Sequence, residues 1–214
     1  MSRRVRTALL ALVAVVVVVV AAAVAWPDLD GEPASEEAPS PTPTTAPDLG
    51  LADVDTSTTA IARAAFCDRV APEAVTAALG AEPTGATSYA DGDRAAVVGR
   101  VSDIAHEFSC TWTAGTTIAR AWVFAPPVTR TTATALARQA AREEGCTRVA
   151  GAPALGSPTA ALVCRPGPAR VQASFRGLLG DAWLTCSVAG PLEPTEAAQR
   201  ADRWCVDVLG AVRA

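Results

Sequence analysis

The chain has 214 residues, 50% of them apolar, 19% charged and only 5% aromatic. That apolar share excludes wholesale disorder, because such chains bury too little surface to offset ordering entropy. Eighteen basic residues against 22 acidic ones leave a net charge of −4, which excludes a nucleic-acid binder that works by neutralising phosphates.

Arg3, Arg4 and Arg6 precede an unbroken apolar run of 19 residues from Ala8 to Trp26. At about 1.5 Å per residue such a helix spans roughly 28 Å, close to a hydrocarbon core of about 30 Å. The arginines on the short leading side put the N-terminus inside and the remainder outside. The segment predicts a transmembrane anchor over residues 8–26, in a single-pass protein of the cell membrane. The alternative is a signal peptide cleaved after Ala25, at the small-x-small site Ala23-Val24-Ala25, with secretion of the rest.

Residues 27–60 hold six Pro, nine Ser/Thr and eight Asp/Glu, with no basic and no aromatic residue. Pro fixes φ and removes N–H donors, so this stretch reads as an extended, disordered acidic stalk. The remaining block, residues 61–214, is long enough for one real core.

All six cysteines fall in that block: Cys67, Cys110, Cys146, Cys164, Cys186 and Cys205. No two lie a few residues apart, as zinc or redox sites require, and His106 is the only histidine. An even number in an exported domain reads as three disulfides, for which 15 connectivities exist. The sequential pattern Cys67–Cys110, Cys146–Cys164, Cys186–Cys205 is the expectation, each bridge tying a helix or helix end to a neighbouring strand. No metal and no cofactor is implied.

The elements follow in chain order. Ile61–Val70 reads as a helical turn carrying Phe66 and Cys67. Pro72-Glu73 opens a short helix that Leu79 ends and Gly80 stops. Ala95–Val101 reads as a strand. Glu107–Thr113 alternates, with Phe108, Cys110 and Trp112 on one face, and Thr117–Phe124 returns it as a hairpin. Thr131–Glu144 reads as a helix stopped by Gly145. Ala160–Cys164, Arg170–Phe175 and Ala182–Val188 follow as strands, with Gly177-Leu-Leu-Gly180 as a hairpin turn. Thr195–Val212 closes the chain as a helix whose stripe is Ala197, Ala201, Trp204, Cys205, Val208 and Val212. The fold class is α+β: an antiparallel sheet with helices packed on one side, stapled by three disulfides. Val123–Arg138 echoes Ser187–Asp202 at an offset of 64. A duplicated βββα unit and a chance match of Ala-rich helices both explain this.

The run from Cys67-Asp-Arg-Val-Ala-Pro to Leu79-Gly80, followed by Ser109-Cys110-Thr111-Trp112, resembles the pattern C-x-x-L/V-x-P … C-x-W of an actinobacterial exported domain-of-unknown-function family, mostly lipoproteins. Its layout is also similar to the extracellular sensor domains of mycobacterial receptor kinases. The likeness covers Cys67 to about Phe124, and the chain lacks both a lipoprotein acylation cysteine and an inner kinase domain. It implies a disulfide-bonded α+β envelope domain and brings no catalytic residue.

Chemistry-bearing residues are sparse. A Ser-His-Asp hydrolase would need His106 as its base, and no G-x-S-x-G presents a nucleophile. Asp91, Asp93, Asp103 and Glu107 are the carboxylates that a paired-acid hydrolase would use. Trp112, Trp122 and Trp204 read as core. Trp183 falls on the strand face opposite Leu184, Cys186 and Val188, which makes it the candidate ligand-binding residue. The expected function is a non-catalytic ligand-binding or sensing module of the cell envelope, partnered by the membrane and by a cell-wall ligand or an envelope protein. An accessory subunit of a membrane or secretion complex is the alternative, and a cell-wall hydrolase a third.

Overall fold

The computed structural model describes residues 49–98 and 101–213. The segment 8–26 and the greater part of the stalk lie outside them. Among the described residues no helix is long and apolar enough to cross a membrane.

Among the described residues nine strands form: β1 (Gly85–Tyr89), β2 (Arg94–Val98), β3 (Val101–Ile104), β4 (Glu107–Ala114), β5 (Thr117–Phe124), β6 (Cys146–Arg148), β7 (Thr159–Gly167), β8 (Arg170–Leu179) and β9 (Ala182–Gly190). The helices are α1 (Pro72–Leu79), α2 (Arg130–Ala140) and α3 (Pro194–Val212). Seven strands make one antiparallel sheet in the order β1-β4-β5-β9-β8-β7-β6, while β2 and β3 pair as a separate hairpin. The strand expected over Ala95–Val101 is therefore two strands that leave the main sheet.

Local chemistry sets the helix ends. Pro occupies the first turn of α1, and Gly80 closes it at φ 73°, donating its N–H to Thr76 O at 2.8 Å. Thr129 caps α2 by accepting from Thr132 N at 3.2 Å. This helix ends earlier than expected: Arg142 N and Glu143 N bond three residues back, to Gln139 O and Ala140 O. The tightened turn carries Glu143 to Arg176, where the two make a paired contact at 2.9 and 3.2 Å.

Alternation along the strands builds two cores. Val171, Ala173, Phe175, Leu184, Cys186 and Val188 face α3 and α1, together with the α3 stripe of Ala197, Ala201, Trp204, Cys205 and Val208. Ala160, Leu162, Leu178 and Trp183 face the other way, against Ala133, Ala137 and Ala140 of α2. The expectation of helices on one side is thus corrected: α3 and α1 cover one face and α2 covers part of the other. The reason is that β9 is buried along its whole length, and a strand apolar on both faces needs two covers. The same parity tells against duplication. An offset of 64 equates Val123, on the α3 face, with Ser187, on the α2 face, so the echo inverts the side.

Two further differences have physical causes. Gly177 belongs to β8 rather than to a turn; a Cβ there would lie 1.4 Å from Leu155 O, so only glycine lets that loop approach. The packed domain also begins before Ile61. Leu51 is 2% exposed, and Thr56 donates to Ala154 O at 3.0 Å and accepts from Gly156 N at 3.1 Å.

The three disulfides are Cys67–Cys110, Cys146–Cys164 and Cys186–Cys205, the sequential pattern. The first ties a 3-10 turn (Cys67–Arg69) to β4, the second joins β6 to β7, and the third joins β9 to α3.

Candidate ligand-binding site

On the α2 side of the sheet, α2 covers β7, β8 and the end of β9 but leaves β1, β4 and β5 open. The β2–β3 hairpin reaches over this open part and closes a cleft of about 410 Å³. Tyr89, Glu107 and Arg120 line its floor, Phe124 an apolar wall, and Asp103 and His106 its mouth.

Strand register produces this arrangement. Tyr89 pairs with Ser109, and Ser109 with Trp122, so the three side chains form one row across β1, β4 and β5. Arg120, two residues before Trp122, lies on the same face and folds across that row. Its Cζ sits 4.6 Å from the Trp122 ring centroid, a cation–π contact. Its Nη2 donates to Tyr89 Oη at 2.8 Å and to Glu107 Oε1 at 3.4 Å, and its Nε donates to Ser109 Oγ at 3.4 Å. Tyr89 Oη donates in turn to Glu107 Oε1.

The network holds the guanidinium in one orientation while its side chain remains 39% exposed toward the cleft. Burial pushes the Tyr89 phenol up from its ordinary 10.0, reinforced by its bond to Glu107. At neutral pH the phenol therefore stays a donor. Donors and acceptors alternate on the floor, a pattern suited to a ligand that offers both.

The structure separates the residues singled out from sequence. Trp183 does fall on the face opposite Leu184, yet it is 3% exposed and packed in the α2 core, so it offers no surface to a ligand. Trp204 and Trp112 meet edge to face at 5.3 Å in the α3 core. His106 and Glu107 do reach one cleft, with Asp103 beside them. His106 Nδ1 lies 3.6 Å from Asp91 Oδ1. Asp93 instead holds its own turn by accepting from Ala90 N at 2.8 Å.

Tyr89 and Arg120 were missed. The available signals were weak: Tyr89 is the chain's single tyrosine, and Arg120 is the residue that interrupts the apolar run of β5. Glu143, Cys146 and Cys164 bring ligand-type atoms within 4.8 Å of one another, but the two sulfurs are joined to each other, leaving no thiolate for a metal.

No protein-family model matches this chain, and no curated protein matches it.

Proposed function

We propose that the chain is a non-catalytic ligand-binding or sensing module of the cell envelope, anchored by residues 8–26 with its disulfide-bonded domain outside. The observation that carries this reading is the cleft on the sheet: an arginine fixed by Tyr89, Glu107, Ser109 and Trp122, and still open to a cavity of about 410 Å³. Three disulfides support an oxidising compartment.

The ligand class that suits the floor is a polyhydroxylated one, a cell-wall glycan. Arg120 supplies donors, Glu107 and Asp103 acceptors, and Phe124 an apolar wall for a sugar ring. A second reading has one observation in its favour. Asp103 and Glu107 share the cleft, and paired carboxylates hydrolyse glycosidic bonds.

One experiment separates the two. Amide shifts of the isotope-labelled chain are followed while soluble cell-wall oligosaccharides are added, and the sugar is analysed afterwards. Shifts confined to Tyr89, Glu107 and Arg120 with the sugar intact support the module. Shortened sugar moves the reading to a hydrolase, and shifts elsewhere or none at all overturn the site.

A further inference from the structure

A second cavity, of about 550 Å³, lies on the opposite face of the sheet from the Arg120 cleft, beside the first half of α3. Val163 and Phe175 form its apolar floor and Ala198 its helical wall. Residues 149–153 run along the other side.

Strand parity decides which charges reach it. Val163 packs with the α3 core, and Arg165, two residues on, shares its face and lines the cavity. Arg165 is exposed and enters no ion pair among the described residues. Arg148 differs: it pairs with Leu162 of the α2 core, so its side chain leaves on the other face. The opposite charge comes from Asp202 of α3, which also lines the cavity. Its oxygens accept from Leu51 N at 3.4 and 3.3 Å, a single N–H that leaves the carboxylate further acceptor sites. Arg203 and Asp53 act on it with opposite signs, so this end of the cavity stays anionic.

The two charges stand at opposite ends. Cys164 pairs with Gln172, and Val171 with Gly190. Arg165 therefore lies at the end of the sheet where β9 gives way to α3, and there Pro194 and Thr195 line the cavity. The Cys186–Cys205 bridge runs α3 back along β9, which carries Asp202 toward Phe175, the strand partner of Cys186. Pro194 and Asp202 are separated by about 12 Å of helix. Less the reach of two side chains, that gap matches about three extended residues at roughly 3.3–3.6 Å each. A cation and an anion at the two ends of an apolar floor complement a short peptide whose termini are both free.

We propose that this cavity binds a peptide of about three residues by its two termini. The peptide carboxylate meets Arg165, its ammonium meets Asp202, and an apolar middle side chain rests on Val163 and Phe175. This site does not depend on the Arg120 cleft.

The test titrates the full oxidised chain with Ala-Val-Ala, with its N-acetylated form and with its C-amidated form, followed by amide shifts. The expected result is saturable binding of the free tripeptide, shifts at Val163 and Ala198, and a loss of about tenfold for each cap. In Arg165→Gln the free and amidated peptides bind alike, and in Asp202→Asn the free and acetylated ones do. The caps act on the unaltered protein, so a substitution that fails to fold leaves the test standing. No saturable binding of the free tripeptide, caps without effect, a folded variant that still distinguishes its own cap, or shifts at Arg120 in place of Val163 would each overturn the proposal.

Discussion

Tyr89 and Arg120 stand 31 residues apart in the chain, yet Arg120 Nη2 donates to Tyr89 Oη at 2.8 Å. Three strands bring them together, and the contact lies across the row of Tyr89, Ser109 and Trp122 on the cleft side of the sheet. Because Tyr89 is the chain's only tyrosine, its ionisation can be followed by ultraviolet absorbance without interference. Burial holds the phenol above 10.0 in the folded state, so the native protein keeps this proton longer than the unfolded chain. The stability it contributes is complete below pH 10 and is lost as pH rises through the raised value. Tyr89→Phe should remove that part of the alkaline loss, seen as a shallower fall of melting temperature above pH 10. Parallel curves for the variant and the wild type would contradict the assignment.

Trp183 belongs to the structure rather than to a ligand. It is 3% exposed between Leu178 and the alanines of α2, so Trp183→Ala should cost about 3–5 kcal/mol in denaturant unfolding, the range for a large buried aromatic. Trp204 should behave similarly, since its Nε1 also donates to Arg120 O at 3.1 Å. A Trp183→Ala variant as stable as the wild type would put this residue back among the binding candidates.

These two tryptophans show how far the sequence could be read. The stripe of α3 and the alternation of β4 and β5 were plain, because apolar residues recur there at helix and strand spacing. The side on which Trp183 points was legible from the same parity. Its cover was not, since Ala133, Ala137 and Ala140 carry no pattern that names a partner. Strand β1 was missed because Gly-Ala-Thr-Ser-Tyr neither alternates nor buries its side chains, and β6 because three residues give no period. The Arg120 site depended on the register between β1, β4 and β5, which only long-range pairing sets.

The disulfides should contribute unequally. Loop-closure entropy predicts about 4 kcal/mol for Cys67–Cys110, whose cysteines are 43 residues apart, and about 3 kcal/mol for Cys146–Cys164, separated by 18. Paired Cys→Ala variants compared by urea unfolding should rank in that order. A non-reducing peptide map should show the three sequential bridges, and any crossed linkage would contradict the fold.

Asp202 offers a test near neutral pH. Burial raises its carboxyl above the ordinary 3.8 against the opposing bond from Leu51 N. A raised acid adds stability below its unfolded value and loses that contribution as pH climbs through the folded one. Asp202→Asn keeps an acceptor for Leu51 N without the charge. It should melt at or above the wild-type temperature at pH 7, with the gap closing by pH 3. A variant clearly less stable at pH 7 would mean that the ionised carboxylate is favoured in the fold.

The central claim is that Arg120 anchors a ligand in the cleft, and Arg120→Lys tests it most directly. Lysine keeps the charge but loses the planar fork that serves several acceptors at once. Full oxidised wild type and variant would be titrated with soluble cell-wall oligosaccharides by calorimetry, after their melting temperatures are compared. Saturable binding to the wild type that weakens by about tenfold or more in a folded Arg120→Lys chain is the predicted result. Equal affinity in the two proteins, or no binding to the wild type, would contradict it.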